Sequence, residues 1–422
     1  MCMRARKTEI ICTGSELLSG KLNLYVPLFH EKLLPLGFEI TREQSPGDTL
    51  REIADCIKGA LTRADLVVVC GGLGPTFDDL TRQAAASALK KKLVYSNAQD
   101  CALKAKYGLA KLPPNLADQC LKLAGAKTIE NRNGTAAGQE IACKNKLVVL
   151  LPGPRHEWEP MFKDCLEADL KRFFSVRGGA PEMLKLKISG LGEVTAEKLL
   201  RPVMKRFKEA RYTILAGPWT VEFIITAGAK GEMQSAKCKT EERSSTIAEI
   251  EKACRKILGN KIYGVNGDTL EAGAGALLCG AGLTLSCAES CTGGLLSSLI
   301  TDSPGSSAYF KGSAVAYSNA AKTRLLKVRP QTLKKYGAVS ELCAREMALG
   351  AKKLFSSDYA LAITGIAGPE GGTPKKPVGT VCFALMGPGK TNTFTRRFHG
   401  ERTFIKRCAA NFALDELRKV IE

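Results

Sequence analysis

Three side chains in the last third of the chain have types and spacing suited to covalent chemistry. Ser290 stands in Cys287-Ala-Glu-Ser-Cys-Thr-Gly-Gly294, between an apolar stretch and a helical one. A serine hydroxyl on such a turn is a candidate nucleophile, because free N–H groups at the helix start can hold the oxyanion that forms on attack. Thr292, Gly293 and Gly294 would supply that substrate-facing backbone. The same serine could equally cap the helix, and Glu289 could cap, orient or assist proton transfer. Lys322 follows Tyr317 by five residues in Tyr317-Ser-Asn-Ala-Ala-Lys322. A desolvated lysine gives up its proton more readily and can then accept one from a hydroxyl; a lysine on a solvated helix face is the plainer reading. Thr364 ends an apolar run and opens the loop Gly365-Ile-Ala-Gly-Pro-Glu-Gly-Gly372, where Gly365 and Gly368 favour close approach to a ligand. Arg402, with Lys406 and Arg407, starts the last helical segment and would bind a phosphate or coat the surface. Near the other end, Asp78 and Asp79 follow Gly71-Gly-Leu-Gly-Pro-Thr76. Paired carboxylates beside a Gly-rich turn suit a hydrated divalent ion, or simply the cap of the next helix.

The elements that must carry these residues alternate between strand and helix. The run Asp65-Leu-Val-Val-Val-Cys70 is β-branched and apolar throughout, the pattern of a strand buried on both faces. Glu9 to Thr13 and Lys146 to Pro152 read the same way, and Thr49 to Arg63 is an amphipathic helix with Ile53, Ile57 and Leu61 on one side. Asn23 to Leu36 reads as a helix interrupted early by Pro27. Such alternation implies an α/β fold with a parallel sheet and helices on its faces. A second, α+β unit shows strands at Leu184–Ile188 and Thr220–Thr226 and helices at Glu193–Phe207 and Ser245–Leu258. The third unit predicts strands at Leu283–Ser286, Ser313–Tyr317, Tyr359–Thr364, Val378–Leu385 and Thr393–Phe398, a helix over Ser340–Phe355 with Ser340 as N-cap, and a closing helix over Thr403–Ile421. The expected division is 1–175, 181–266 and 267–422.

Composition narrows the function classes. A chain of 422 residues that is 45% hydrophobic can bury several cores. The net charge of +20 is spread over the chain beyond residue 90, and aromatics are only 6%. Spread charge suits attraction of small anions; nucleic-acid binding usually needs a clustered basic stripe with stacking aromatics, so it is not expected. The sixteen cysteines are scattered in apolar segments and read as small buried hydrophobes. Three histidines without ligand spacing nearly exclude a His-built metal site. No apolar run is long enough to span a bilayer, and the basic start lacks the apolar stretch of a secretion signal. The reading is a soluble, cytoplasmic protein.

At these loops the sequence resembles the CinA family, the competence/damage-inducible proteins, over nearly its whole length. Glu9-Ile-Ile-Cys-Thr-Gly-Ser-Glu-Leu-Leu-Ser-Gly20, Gly71 to Thr81 and Asn133-Gly-Thr-Ala-Ala-Gly138 are similar to its molybdopterin-binding-like domain. Ile188-Ser-Gly-Leu-Gly-Glu193 is similar to its linking module. Ala288 to Gly294, Gly305-Ser-Ser-Ala-Tyr-Phe310, Tyr317 to Lys322, Gly337-Ala-Val-Ser340, Thr364 to Gly372 and Lys376-Pro-Val-Gly-Thr380 are similar to its C-terminal domain. The resemblance implies a nicotinamide-nucleotide amidase in the third part, needing no cofactor, with Ser290, Tyr317, Lys322 and Thr364 at the active site. It implies a pyridine nucleotide as ligand and a homodimer. For the first part it implies metal-dependent cleavage of ADP-ribose, with Asp78 and Asp79 on the metal. There the sequence departs from the family: Phe77 stands where a histidine is common, and Arg132 and Ala137 replace prolines. A non-catalytic role in DNA uptake or repair is the remaining expectation.

Overall fold

The computed structural model describes residues 6–176, 182–227 and 240–422. They form two compact units, one within residues 6–176 and one from 183–227 with 244–422. Where the sequence divides into three parts, the middle module and the C-terminal third therefore pack as one body.

In the first unit, Arg6–Cys12 (β1), Phe38–Gln44 (β2) and Leu66–Cys70 (β3) are joined by a short two-stranded ribbon of Leu93–Tyr95 (β4) with Leu121–Leu123 (β5) and by Lys127–Ile129 (β6), Gly138–Cys143 (β7) and Lys146–Leu151 (β8). The main sheet runs β2-β1-β3-β8-β7-β6. The first four strands are parallel, but β7 and β6 run antiparallel, so the sheet is mixed rather than parallel throughout. Gly138–Cys143 carries Gln139 and Glu140 within its buried stretch, which hid it from a search for apolar runs. Every residue of β3 is buried, as its composition requires. Helix Leu50–Arg63 covers one face, its N-cap Thr49 accepting from Glu52 N–H and its Ile53 and Ile57 fully buried. The segment around Pro27 is a nine-residue helix, Tyr25–Leu33, followed by a 3₁₀ turn. Proline is accommodated in its first turn rather than breaking it.

The second unit begins with Glu182–Ser189 (β9), Arg211–Ala216 (β10), Thr220–Ala227 (β11) and, after a helix at Thr240–Leu258, Ile262–Val265 (β12). These make the sheet β10-β11-β9-β12, packed on helix Glu193–Arg206. The larger sheet contains Leu285–Glu289 (β13), Phe310–Val315 (β14), Tyr359–Gly365 (β15), Thr380–Met386 (β16) and Thr391–Arg397 (β17), in the order β14-β13-β15-β16-β17. Strands β14, β13 and β15 are parallel; β16 and β17 return antiparallel. One face packs on helices Leu270–Ala281 and Arg402–Ile421, the other on Glu341–Phe355, whose N-cap Ser340 accepts from Cys343 N–H. Buried Asp415 joins the two sheets' surroundings: it accepts from Ser189 Oγ at 2.7 Å and Trp219 Nε1 at 3.1 Å, and is paired with Arg418 and Lys419.

Strand β13 lies two to three residues later than the apolar pattern suggested, ending at Glu289, and β14 ends at Val315. The shift matters because Glu289 is level with Val315 on one neighbour and Ile363 on the other. Ser290, Ala316 and Thr364 therefore leave, or nearly leave, three adjacent parallel strands side by side at their carboxyl ends. That is where open α/β sheets bind ligands.

Candidate active site

A cavity of about 180 Å³ opens at those three strand ends. Ser290, Lys322, Thr364 and Gly365 line its floor, Ala338 and Val339 one wall, and Tyr317 and Arg402 its rim. Lys322 is only 1% exposed. It lies in the first turn of helix Asn319–Leu326, whose cap is Ser318, and this turn aims its side chain back over the strand ends. Its Nζ stands 2.8 Å from Ser290 Oγ, 2.9 Å from the Ala316 carbonyl and 3.3 Å from the Tyr317 carbonyl. No carboxylate pairs with it among the described residues. Burial without a counter-ion holds its pKa below the ordinary lysine value. Nζ donates to Ser290 Oγ and to both carbonyls, so that loss of one proton would turn its lone pair toward the serine hydroxyl.

Ser290 begins the loop, its N–H donating to the Ile363 carbonyl. The N–H group of Cys291, which lines the cavity, makes no hydrogen bond to another described residue, leaving one backbone donor in the loop after Ser290. Cys291 also lines the cavity, but burial pushes its thiol up to about 12, so it is no rival nucleophile at neutral pH. Gly293 and Gly294 turn the chain with φ of +63° and +98°, values that a residue with a Cβ rarely adopts.

Glu289 does not reach the cavity. Fully buried at the end of β13, it accepts from the N–H groups of Gly294, Leu296 and Ser297 at 2.9 to 3.1 Å. It is the anionic cap of helix Leu295–Thr301, placed where the helix start favours negative charge. It therefore shapes the loop that carries Ser290, and its carboxylate is turned to the helix start rather than to the cavity. Thr292, Gly293 and Gly294 also lie behind the lining, and the Thr292 side chain is fully buried. Thr364 is 1% exposed, and its hydroxyl donates to the Ala338 carbonyl, bracing the opposite wall. Arg402 donates to the Gly368 carbonyl at 2.6 Å and to Tyr317 Oη at 3.0 Å, so Gly368 meets the site through Arg402. Ala338, Val339, Asn319 and Ala367 were not singled out as site residues in the sequence. Their only signal was membership of the motifs Gly337–Ser340, Tyr317–Lys322 and Thr364–Gly372.

The first unit has its own cleft, about 320 Å³, at the carboxyl ends of β1 and β3. Asp78 and Asp79 line it with Glu16, Asp48 and Glu157. The pair is already engaged: Asp79 accepts from Thr76 N–H at 2.8 Å and from its hydroxyl, and Asp78 accepts from that hydroxyl too. Among the described residues no three His, Cys, Asp or Glu side chains converge as a metal needs. The two aspartates thus fit the loop-capping reading, and these residues do not fit a resident metal. Phe77, between this pair and Thr76, is 94% exposed. A larger groove, about 590 Å³, runs along helix Glu341–Phe355 past Leu325 and Leu349, but it gathers leucines and surface cations and no nucleophile, so size alone does not mark a catalytic site. No helix among the described residues is long and apolar enough to cross a membrane.

Comparison with known proteins bears on the family of the chain. Residues 267–421 match the CinA C-terminal domain family and residues 9–172 a probable molybdopterin binding domain. A CinA-like protein of Endomicrobium trichonymphae is 39% identical, covering 98% of each chain. A putative competence-damage inducible protein of Caldanaerobacter subterraneus is also 39% identical, again over 98% of each. The crystal structure of a CinA superfamily protein from Klebsiella pneumoniae is 38% identical over 36% of this chain and 95% of its own, with a TM-score of 0.35. On the full-length matches, this chain belongs to the CinA family of competence-damage inducible proteins.

Proposed function

We propose that the C-terminal domain hydrolyses the carboxamide of nicotinamide mononucleotide, releasing ammonia and leaving nicotinate mononucleotide. One observation carries this reading: the 2.8 Å contact between Ser290 Oγ and a buried lysine amine that has no counter-ion among the described residues. Ser290 attacks the amide carbon while Lys322 takes the hydroxyl proton. The oxyanion is met by the Cys291 N–H group. Collapse breaks the C–N bond, and the departing nitrogen takes the proton from Lys322 and leaves as ammonia. Water then adds to the acyl-serine, giving its proton to Lys322. The second collapse frees the carboxylate and returns that proton to Ser290.

The cavity's size supports a ring-plus-amide fit. Its 180 Å³ is below the roughly 300 Å³ at which pockets for whole drug-sized ligands begin. Only the pyridine carboxamide enters; the ribose phosphate projects past Tyr317, where Arg402 offers a cation. The test is ammonia release from nicotinamide mononucleotide by the folded chain and by Ser290→Ala and Lys322→Ala. Release by the parent and its loss in both variants is expected. A folded parent that releases none overturns the reading, and full turnover by Ser290→Ala overturns the nucleophile.

A further inference from the structure

We propose that Lys376 is a positioning residue for this reaction, a cationic staple that fixes the apolar wall against which the substrate ring lies. The inference rests on the amidase reading for its kinetic consequence, but not for its structural one.

The wall lies in the four-residue link 337–340 between helices Pro330–Tyr336 and Glu341–Phe355. Such a link has no ladder to hold it, and its carbonyls need donors. Side chains supply them, two of the three from outside the link. Lys376 Nζ donates to the Tyr336 carbonyl at 2.8 Å and to the Val339 carbonyl at 2.6 Å. The Ala338 carbonyl between them takes the Thr364 hydroxyl, and the Gly337 carbonyl takes Ser340 Oγ. Lys376 is thus bonded to both ends of the link while rooted in the loop after β15. The turn that presents it is closed by Thr373 and Lys376 hydrogen-bonding each other's backbone at 2.9 and 3.1 Å. It forms no ion pair among the described residues: its charge goes entirely to two carbonyls.

Charge-assisted bonds of this kind are stronger than neutral ones, and they tie the loop after β15 to the link before helix Glu341–Phe355. Without the ammonium, the Tyr336 and Val339 carbonyls lose that donor and the link is held less firmly, by the Thr364 hydroxyl and the packing of Val339, so the cavity wall loosens. The reacting groups are not touched. The expected consequence is weaker capture of the ring rather than slower proton transfer.

The experiment compares Lys376→Met and Lys376→Arg with the parent, all as full chains, by amide hydrogen exchange and by steady-state ammonia release from nicotinamide mononucleotide. In Lys376→Met, exchange over 336–340 should quicken by about tenfold or more while the strands β13 and β15 stay protected. KM should rise by roughly tenfold or more with kcat within about threefold, since the lost contact orients ground state and transition state alike. Lys376→Arg, which keeps a donor of similar reach, should restore KM to within about threefold of the parent. Unchanged exchange over 336–340 overturns the staple, whatever the activity. Faster exchange with unchanged KM overturns the positioning role. A parent without ammonia release would sink the amidase reading, while the exchange arm would still decide the staple.

Discussion

Two clefts in this chain occupy the same topological place. In each unit the parallel strands run second-first-third, as β2-β1-β3 and as β14-β13-β15, and in each a cavity opens at the carboxyl ends of the first and third. The side chains are opposite in character. The first cleft is lined by five carboxylates and no lysine, arginine or histidine; the second by Lys322 and Arg402 and no carboxylate. Topology locates a site, because strand ends leave free backbone groups around a crevice. What the site does is written in the few residues that follow each strand. In the proposed amide hydrolysis, a hydroxyl beside a buried amine attacks a carbonyl. Carboxylates gathered without a cation repel the same anionic substrate.

The sharpest way to break the comparison is to remove the amine. Lys322→Met should lower kcat/KM for ammonia release by on the order of a thousandfold, the range for loss of a positioned acid–base group. Burial of Lys322 makes stability and activity pull apart. Its folded pKa lies below the ordinary 10.5. Between the two values the unfolded chain binds the extra proton, so the parent loses stability as pH falls through that window, and the loss is complete below the folded pKa. Methionine has no proton to bind. Thermal melts of both proteins across that range should therefore show the variant gaining on the parent as pH falls. The parent's kcat/KM should rise with pH through the folded pKa, because only the neutral amine accepts the serine proton. A variant that keeps turnover, or a gap that does not change with pH, contradicts the assignment.

Glu289 sharpens the comparison from a different side, since it is a carboxylate in the cationic unit yet faces away from the cavity. Glu289→Gln keeps its shape but points an NH₂ group at backbone N–H donors. Chemical denaturation should report a loss of about 2–4 kcal/mol, the cost of unsatisfied buried groups at a helix start. Activity should fall with the distorted loop. A variant as stable as the parent, with a specific loss of turnover, would return Glu289 to the substrate.

The sequence disclosed much of this and missed it in instructive places. Buried strands such as Leu66–Cys70 were visible because both faces are apolar. Antiparallel edges such as Gly138–Cys143 were not, since buried Gln139 and Glu140 interrupt the pattern. Ser290 and Lys322 could be named from their motifs, but not their 2.8 Å contact, which depends on where β13 and β14 end and on the helix turn after Ser318. The inward and outward neighbours Ser290 and Glu289 differ only by strand alternation, and an ending misplaced by a few residues blurs which of them faces the cavity. Lys376 was the hardest to read: its partners are carbonyls about forty residues away, and carbonyls leave no mark in sequence.

The smallest expected effect tests the other cleft. Asp79→Asn keeps an acceptor for the Thr76 N–H but weakens its bonds, and the Asp is only partly buried, so a loss of about 1 kcal/mol is expected in denaturation of the first unit. Ammonia release should stay within about twofold of the parent, because no step of the proposed amide hydrolysis uses this loop. A divalent ion should leave the parent's melting temperature unmoved as well, since binding to the native state alone would raise it. A rise with added Mg²⁺ or Mn²⁺ that Asp79→Asn abolishes would show that the carboxylates trade Thr76 for a metal. The two clefts would then differ in reaction class rather than in whether they carry one.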